Sequence, residues 1–299
     1  MKPHRTFVRL LAFAFAWALL LSSPAIAEAG TGDLPERAED GDLRIMCYNL
    51  MHPDWSRVPV AGRDETVASI LRLYRPDVVA VQEAGAKWHK ALIPLLTEPG
   101  DYAFACRQSN ADGFIYCTTC FLYNPQTVEP VEEYILDLEY KHATRVFSVA
   151  VFERRSDGAR FAVANTHPAP REEPREYARN MADLTSCAVD LMKKYPDLPV
   201  IIAGDFNTPE QAEEYQNFMR EANVKDAKYE ADVLVRGCST FFGYQVAPDA
   251  DDTSLCIDHL FVNGKTAVRR YEAVTEHGVQ NASDHIPIYI DIGLRQAAK

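Results

Sequence analysis

Short apolar runs alternate with amphipathic stretches along this chain, and the spacing of their hydrophobic positions predicts the elements. LRIMCYNL (43–50) reads as a strand and RDETVASILRLYRPD (63–77) as a helix with Val67, Ile70, Leu71 and Tyr74 on one face. DVVAVQE (77–83) is a buried strand ending in Glu83. YAFACRQSNADGFIYCTTC (102–120) predicts a hairpin turning through Asn110 to Gly113, and TRVFSVAVFERR (144–155) and ARFAVANTHPAP (159–170) predict two strands joined at SDG. The segment 175–197 is a long helix striped by Tyr177, Met181, Leu184, Ala188 and Leu191, which delivers the chain to LPVIIAGDFN. Thr208, Pro209 and Gln211 form a capping-box start for a helix over EQAEEYQNFMREA (210–222). STFFGYQ (239–245), SLCIDHLFVNG (254–264) and SDHIPIYIDI (283–292) add strands.

One sequence order occurs twice. Helix, Tyr, Pro, Asp, apolar strand and acid run through LYRPDVVAVQE (73–83) and again through KYPDLPVIIAGD (194–205). Strands outnumber helices and fall into two runs, each interrupted by helices, which predicts two packed sheets flanked by helices.

Ahead of the first strand, MKPHRTFVR is basic, LLAFAFAWALLL is apolar, and Ala25-Ile26-Ala27 precedes Glu28. This is the pattern of an export signal over residues 1–27, cleaved after Ala27, and the apolar run is too short to favour a membrane span. The expectation is a secreted or periplasmic protein with no stable membrane anchor after cleavage, an acidic flexible leader over 28–42, and a single domain over 43–295. The formal charge of −12 argues against broad affinity for polyanions, because that affinity depends on Lys and Arg displacing counterions. Seven cysteines in an exported chain permit disulfides. The hairpin register suggests Cys106 with Cys117, and Cys238 with Cys256 is a second pair. The CxxC spacing of Cys117 and Cys120 stands alone, without the further ligands that zinc needs.

Polar residues cluster where these strands meet loops: Asn49, Glu83, His167, Asp205, Asn207, Asp258, Asp284 and His285. Loops held by a rigid scaffold are the usual place for a site. Asp205 and Asn207 are two apart and so share a face of the strand end, although a turn would also use both residue types. Carboxylate and amide oxygens without a thiolate cluster favour Mg2+, Mn2+ or Ca2+ over zinc.

The ordered set YNL, VQE, NTH, GDFN, IDH and SDH over residues 43–291 resembles the endonuclease/exonuclease/phosphatase family of metal-dependent phosphoesterases, the relatives of pancreatic deoxyribonuclease. The resemblance implies an α+β fold, a four-layer α/β/β/α sandwich of two mixed β-sheets flanked by helices. It implies one divalent cation, bound by Glu83 with Asn49 and Asp284 in support. By the same resemblance Asp205 would orient and deprotonate the attacking water, and Asn207 would fix that water or a phosphate oxygen. His285 would contact the scissile phosphate while Asp258 holds its imidazole, and His167 would be a second phosphate contact or a general acid. Met51 stands where some nucleases of the family carry a carboxylate, which argues against a second metal.

His259 faces away from Asp258 along a strand and is expected to be structural. Arg145 is either a phosphate contact or a surface ion pair. The leading expectation is an exported hydrolase of phosphodiesters. A secreted nuclease acting on DNA or RNA, a phospholipid-headgroup phosphodiesterase, a phosphomonoesterase and a non-catalytic binding protein are the alternatives. The partner is a phosphate-ester substrate; nucleic acid enters only as a substrate, and the pattern specifies no oligomeric state. No G-x-S-x-G or H-E-x-x-H occurs, which removes the α/β-hydrolase and zincin readings.

Overall fold

A computed structural model describes residues 36–107, 118–138 and 145–294. The expected signal peptide, the hairpin tip from Asn110 to Gly113 and Cys117 lie outside those residues. In chain order the elements are β1 (Leu43–Asn49), α1 (Pro53–Ser56), α2 (Arg63–Tyr74), β2 (Val78–Gln82), α3 (Ala86–Leu92), β3 (Ala103–Ala105), β4 (Cys120–Tyr123), β5 (Val128–Asp137), β6 (Val146–Arg154) and β7 (Arg160–Thr166). They continue with α4 (Pro174–Lys194), β8 (Val200–Asp205), α5 (Glu213–Ala222), β9 (Lys225–Asp226), α6 (Ala227–Glu230), β10 (Val233–Arg236), β11 (Asp258–Val262), β12 (Ala267–Ala273) and β13 (Ile288–Gly293).

Two mixed sheets result. One has seven strands in the order β10-β12-β13-β1-β2-β4-β3, and the other six in the order β5-β6-β7-β8-β11-β9. The near-continuous apolar runs of β1, β2, β7 and β8 follow from cover on both faces. Phe161, Val163, Ile201 and Ala203 of the six-stranded sheet pack in one core with β1, β2 and α2, while the alternate residues Ala162, Ala164, Val200 and Ile202 pack against Tyr177, Leu184 and Phe218 of α4 and α5. The layers are therefore helix, sheet, sheet, helix, as the resemblance implied.

The repeated sequence order has a topological counterpart. β1-α2-β2 and β7-α4-β8 are each a parallel pair joined through a helix, one in each sheet. In a parallel pair both strands end at the same edge, so each unit delivers two carboxyl-terminal ends to one rim. At the opposite end of β1, Arg44 forms a buried two-pronged ion pair with Asp291 of β13, Nε to Oδ1 at 2.7 Å and Nη2 to Oδ2 at 2.8 Å, with its guanidinium 4.2 Å from the Tyr289 ring centroid.

Several local expectations are corrected. The leader expected to be loose over 28–42 is held from Arg37 onward, because Arg37 reaches Asp77 at 2.7 Å and the Ala38 N–H donates to Asp291 Oδ2 at 3.1 Å. Thr208 does not cap a helix. Its hydroxyl is shared with the carbonyl of Phe206 and the Tyr177 phenol at 2.7 and 2.6 Å, and α5 begins only at Glu213. STFFGYQ is a loop with one bridge residue, Phe241 against His285, not a strand. In the β3-β4 pairing Ala105 lies opposite Phe121, while the expected Cys106–Cys117 pair involves a residue outside the described ones. Cys238 and Cys256 are adjacent thiols, with the Cys256 Sγ 3.3 Å from the Cys238 carbonyl oxygen, and form no disulfide.

Candidate active site

The rim is built by strand direction. Asn49 ends β1, Glu83 follows β2, His167 follows β7 and Asp205 ends β8. β11 runs antiparallel to β8 and therefore starts at that rim, with Asp258 opposite Asp205. β13 is antiparallel to β1, so the segment before it brings Asp284 and His285 to the same place. Glu83 and Asn207 take left-handed backbone angles, φ 59° and 50°, turning the chain sharply off β2 and β8.

Asp205 is the centre of the array. Its Oδ2 accepts Asn49 Nδ2 at 2.9 Å, with His167 Nε2 at 3.5 Å and His285 Nε2 at 3.6 Å on the same oxygen. Its Oδ1 accepts the Asn207 N–H at 2.9 Å. The Asn207 side chain turns back to the Pro168 carbonyl at 3.1 Å, so the backbone of Asn207, more than its amide, serves Asp205. His285 Nδ1 is joined to Asp258 Oδ2 at 2.8 Å.

Burial and neighbours set the charges. Burial, assisted by the facing Asp258, pushes the Asp205 carboxyl up to about 7, against the opposing pull of His285. His285 is also buried, which alone would favour the neutral ring, but the carboxylates of Asp258, Asp205 and Asp284 together push it up to about 10. Among the described residues His167 has no partner on its buried Nδ1, and burial and the Arg145 charge drive it well below the ordinary imidazole range. Two histidines at nearly equal distance from one carboxylate oxygen are thus split, His285 cationic and His167 neutral. The neutral ring can donate a hydrogen bond but is a poor general acid.

Glu83 and Asp284 form a second focus. Glu83 accepts the His52 N–H on Oε2 and Asn49 Nδ2 on Oε1 at 3.3 Å. Burial, with the Asp284 charge adding to it, pushes its carboxyl up. Among the described residues neither acid pairs with a lysine or arginine, and the Asp284 charge acts on Glu83; two hard oxygen donors of like charge so placed are a set that fits a divalent cation. Asn49 turns its own oxygen to the Met51 N–H at 2.9 Å and braces Glu83 and Asp205 through its NH2 group. Asp205, Asp258 and His285 also bring ligand atoms within 4.8 Å of one another. There the imidazole is already hydrogen-bonded and cationic, which suits a charge-paired array better than a metal cradle. A similar grouping of Glu210, Asp226 and His259 lies on the other side of β11. It holds Lys228 Nζ 2.8 Å from Glu210, and His259 is bonded to Asp226 and the Thr208 carbonyl, so it is structural as expected.

Arg145 joins the site. It is largely buried, donates to the His167 carbonyl at 3.2 Å, lies within reach of the Glu83 and Asp205 charges, and sits 5.7 Å from the Trp55 ring centroid. Three supporting residues escaped the sequence reading. The Ser283 hydroxyl donates to the Asn49 carbonyl at 2.7 Å and accepts the His285 N–H at 3.2 Å, tying the two ends of the chain together at the rim. Thr240 Oγ1 accepts the Asp258 N–H at 3.0 Å, and Phe241 sets its ring edge-on to His285 at 5.0 Å. Only Ser283 carried a signal, as the first letter of SDH.

A four-layer sandwich with acids and imidazoles gathered at one rim has the make-up of a hydrolytic site held on a rigid scaffold. Residues 46–285 match the Endonuclease/Exonuclease/phosphatase family, and the chain belongs to that family. No curated protein matches it in sequence. Among solved structures it is similar to an endonuclease/exonuclease/phosphatase from Bacteroides vulgatus, with TM-score 0.71 and 21% identity over 85% of this chain and 99% of that one. It is similar also to a mannosyl-6-phosphatase of Bacteroides thetaiotaomicron, with TM-score 0.69 and 20% identity over 84% and 100% of the two chains. A third is TDP2 of D. rerio complexed with a single-strand DNA product, with TM-score 0.67 and 20% identity over 85% and 100%.

Proposed function

We propose that this protein is an exported, divalent-cation-dependent phosphoesterase that hydrolyses a phosphodiester by in-line attack of water. The observation that carries the reading is the convergence on Asp205: a carboxyl raised to about 7 beside a cationic His285 that Asp258 holds in place. A base with a pKa near working pH can take a proton from water and release it again. Asp205 aims the water, and the Asn207 backbone N–H and Asn49 Nδ2 fix the carboxylate that aims it. His285, positively charged, meets the developing charge on the phosphate, and neutral His167 donates a hydrogen bond to it. Glu83 and Asp284 would hold one cation, Mg2+ by donor type, which supplies charge neutralisation at the phosphate oxygens.

Glu83, Asp205, Asp258 and Asp284 outnumber the cations His285 and Arg145 by two, an excess that one bound divalent cation cancels, so an anionic phosphate ester is accommodated and charge alone does not select diester over monoester. Related folds serve both kinds of ester, as the mannosyl-6-phosphatase and the TDP2–DNA complex indicate. The export reading rests on residues 1–27 and is supported by their basic, apolar and small-residue order.

The test is hydrolysis of bis-p-nitrophenyl phosphate beside p-nitrophenyl phosphate by the mature protein, with Mg2+ or with EDTA and with His285→Ala as control. The expected result is diester cleavage that EDTA and His285→Ala each abolish. Turnover that survives both removes the proposed site. No turnover of these esters, of DNA, RNA or of phospholipids turns the reading toward a binding protein.

A further inference from the structure

Arg63 opens α2 and is almost wholly buried, yet all five of its N–H groups go to backbone carbonyls. Nε donates to Pro59 at 2.8 Å, Nη1 to Leu50 at 2.8 Å and Ala282 at 2.9 Å, and Nη2 to Met51 at 3.0 Å and Val58 at 3.3 Å. Trp88 lies against the guanidinium, its ring centroid 4.8 Å away, and donates its own Nε1 to the Met51 carbonyl at 3.3 Å. Met51 has φ 57°, a left-handed angle that an unbranched residue keeps only when its surroundings hold it.

Besides the Val58 and Pro59 carbonyls just ahead of α2, the acceptors belong to two segments far apart in sequence. Leu50 and Met51 follow Asn49, and the Met51 N–H is the donor that orients the Asn49 amide. Ala282 precedes Ser283, Asp284 and His285. A buried charge answered only by carbonyl dipoles is expensive unless the geometry it enforces is needed. The guanidinium also lies within reach of the Glu83 and Asp284 charges without pairing with either.

We infer that Arg63 is a positioning residue that sets the spacing between the Asn49–Glu83 side and the Asp284–His285 side of the cation site. The inference rests on the reading that Glu83 and Asp284 hold a divalent cation. It has a sign that separates it from electrostatics: removing a nearby positive charge can by itself only tighten cation binding, so weaker binding reports lost geometry. Lysine keeps the charge but replaces a rigid five-donor fork with a single ammonium.

The experiment is calorimetric titration of Mn2+ into the full mature chain, its Arg63→Gln and Arg63→Lys variants, and Trp88→Phe, with folding checked by circular dichroism. Outer contacts of this kind alter metal affinity by about tenfold or more, so the Mn2+ dissociation constant is expected to rise by at least that factor in both Arg63 variants. Trp88→Phe, which keeps a ring over the guanidinium but loses the Met51 bond, rises less. Folded Arg63 variants that bind Mn2+ as tightly as the wild type, or Arg63→Gln binding more tightly, overturn the inference and leave the cation reading intact. Should neither Arg63 variant fold, unchanged affinity in Trp88→Phe overturns it. A wild-type chain that binds no Mn2+ removes the cation reading itself and this inference with it.

Discussion

Asp205 and His285 sit within 3.6 Å of each other, and each has its proton affinity moved by the same third residue, Asp258. That coupling gives a prediction with a definite sign. If the base must be ionised and the imidazole protonated, kcat/KM rises with pH through about 7 and falls toward about 10. Asp258→Asn removes the repulsion that raises Asp205 and the attraction that raises His285, so both limbs of the bell move to lower pH. At pH 8.5 the loss is expected to be about a hundredfold, larger than at pH 6. A pH–rate series on both proteins checks this, and an alkaline limb that stays in place contradicts it. At this scale the sequence was informative about residue types: the acids, amides and imidazoles that meet at the rim were visible because each ends an apolar run. The neutrality of His167 was not visible, because it depends on burial and on the Arg145 charge, both products of tertiary packing. Arg63, too, carries no signal in the sequence, because its five carbonyl acceptors are brought together only by the fold.

Strand against strand, the glycine of GDFN has a purpose that the sequence only hinted at. Gly204 pairs with Thr166 across the parallel β7-β8 ladder, and a Cβ there would stand 2.3 Å from the Thr166 carbonyl oxygen and 2.9 Å from its Cγ2. The obstructing atom is backbone held in a ladder, so it cannot step aside. Gly204→Ala is expected to wedge β8 from β7 just before Asp205 and His167. Overpacking of this kind costs about 1–3 kcal/mol, which in a domain of this size lowers Tm by about 3–10 °C. A sub-ångström shift of the base is expected to lower kcat at least tenfold, since about 1 Å of misplacement can cost a hundredfold. Scanning calorimetry and diester kinetics on the variant check both, and an unchanged Tm contradicts the close-contact argument. The elements themselves were legible where the period was strong, as in α2, α4, β1, β2 and β8. They were not legible in β10 and β12, whose mixed polar and apolar residues lie toward an edge, or in the loop holding Phe241, where local β-propensity yields to the demands of the rim.

Across the whole molecule, the two βαβ units explain why one rim carries the chemistry: each sheet contributes a parallel pair, and the carboxyl-terminal ends of both pairs meet. The four-layer order was legible from the two runs of strands, whereas sheet order was not, because β1 finds its neighbours in β2 and in β13, from the far end of the chain. That pairing sets a clock on synthesis. β13 is made long after β1, so the seven-stranded sheet has no middle until Ile288–Gly293 has been synthesised. Truncations ending before Ile288 are expected to yield no protease-resistant core, while the full chain gives one; limited proteolysis of a length series tests this, and a stable shorter fragment contradicts it. A sheet that closes only when β13 arrives leaves β1 without one of its two neighbours while the strands between them are made. Until then the edge of β1 that β13 will cover presents unpaired N–H and C=O groups, a template on which another chain can pair.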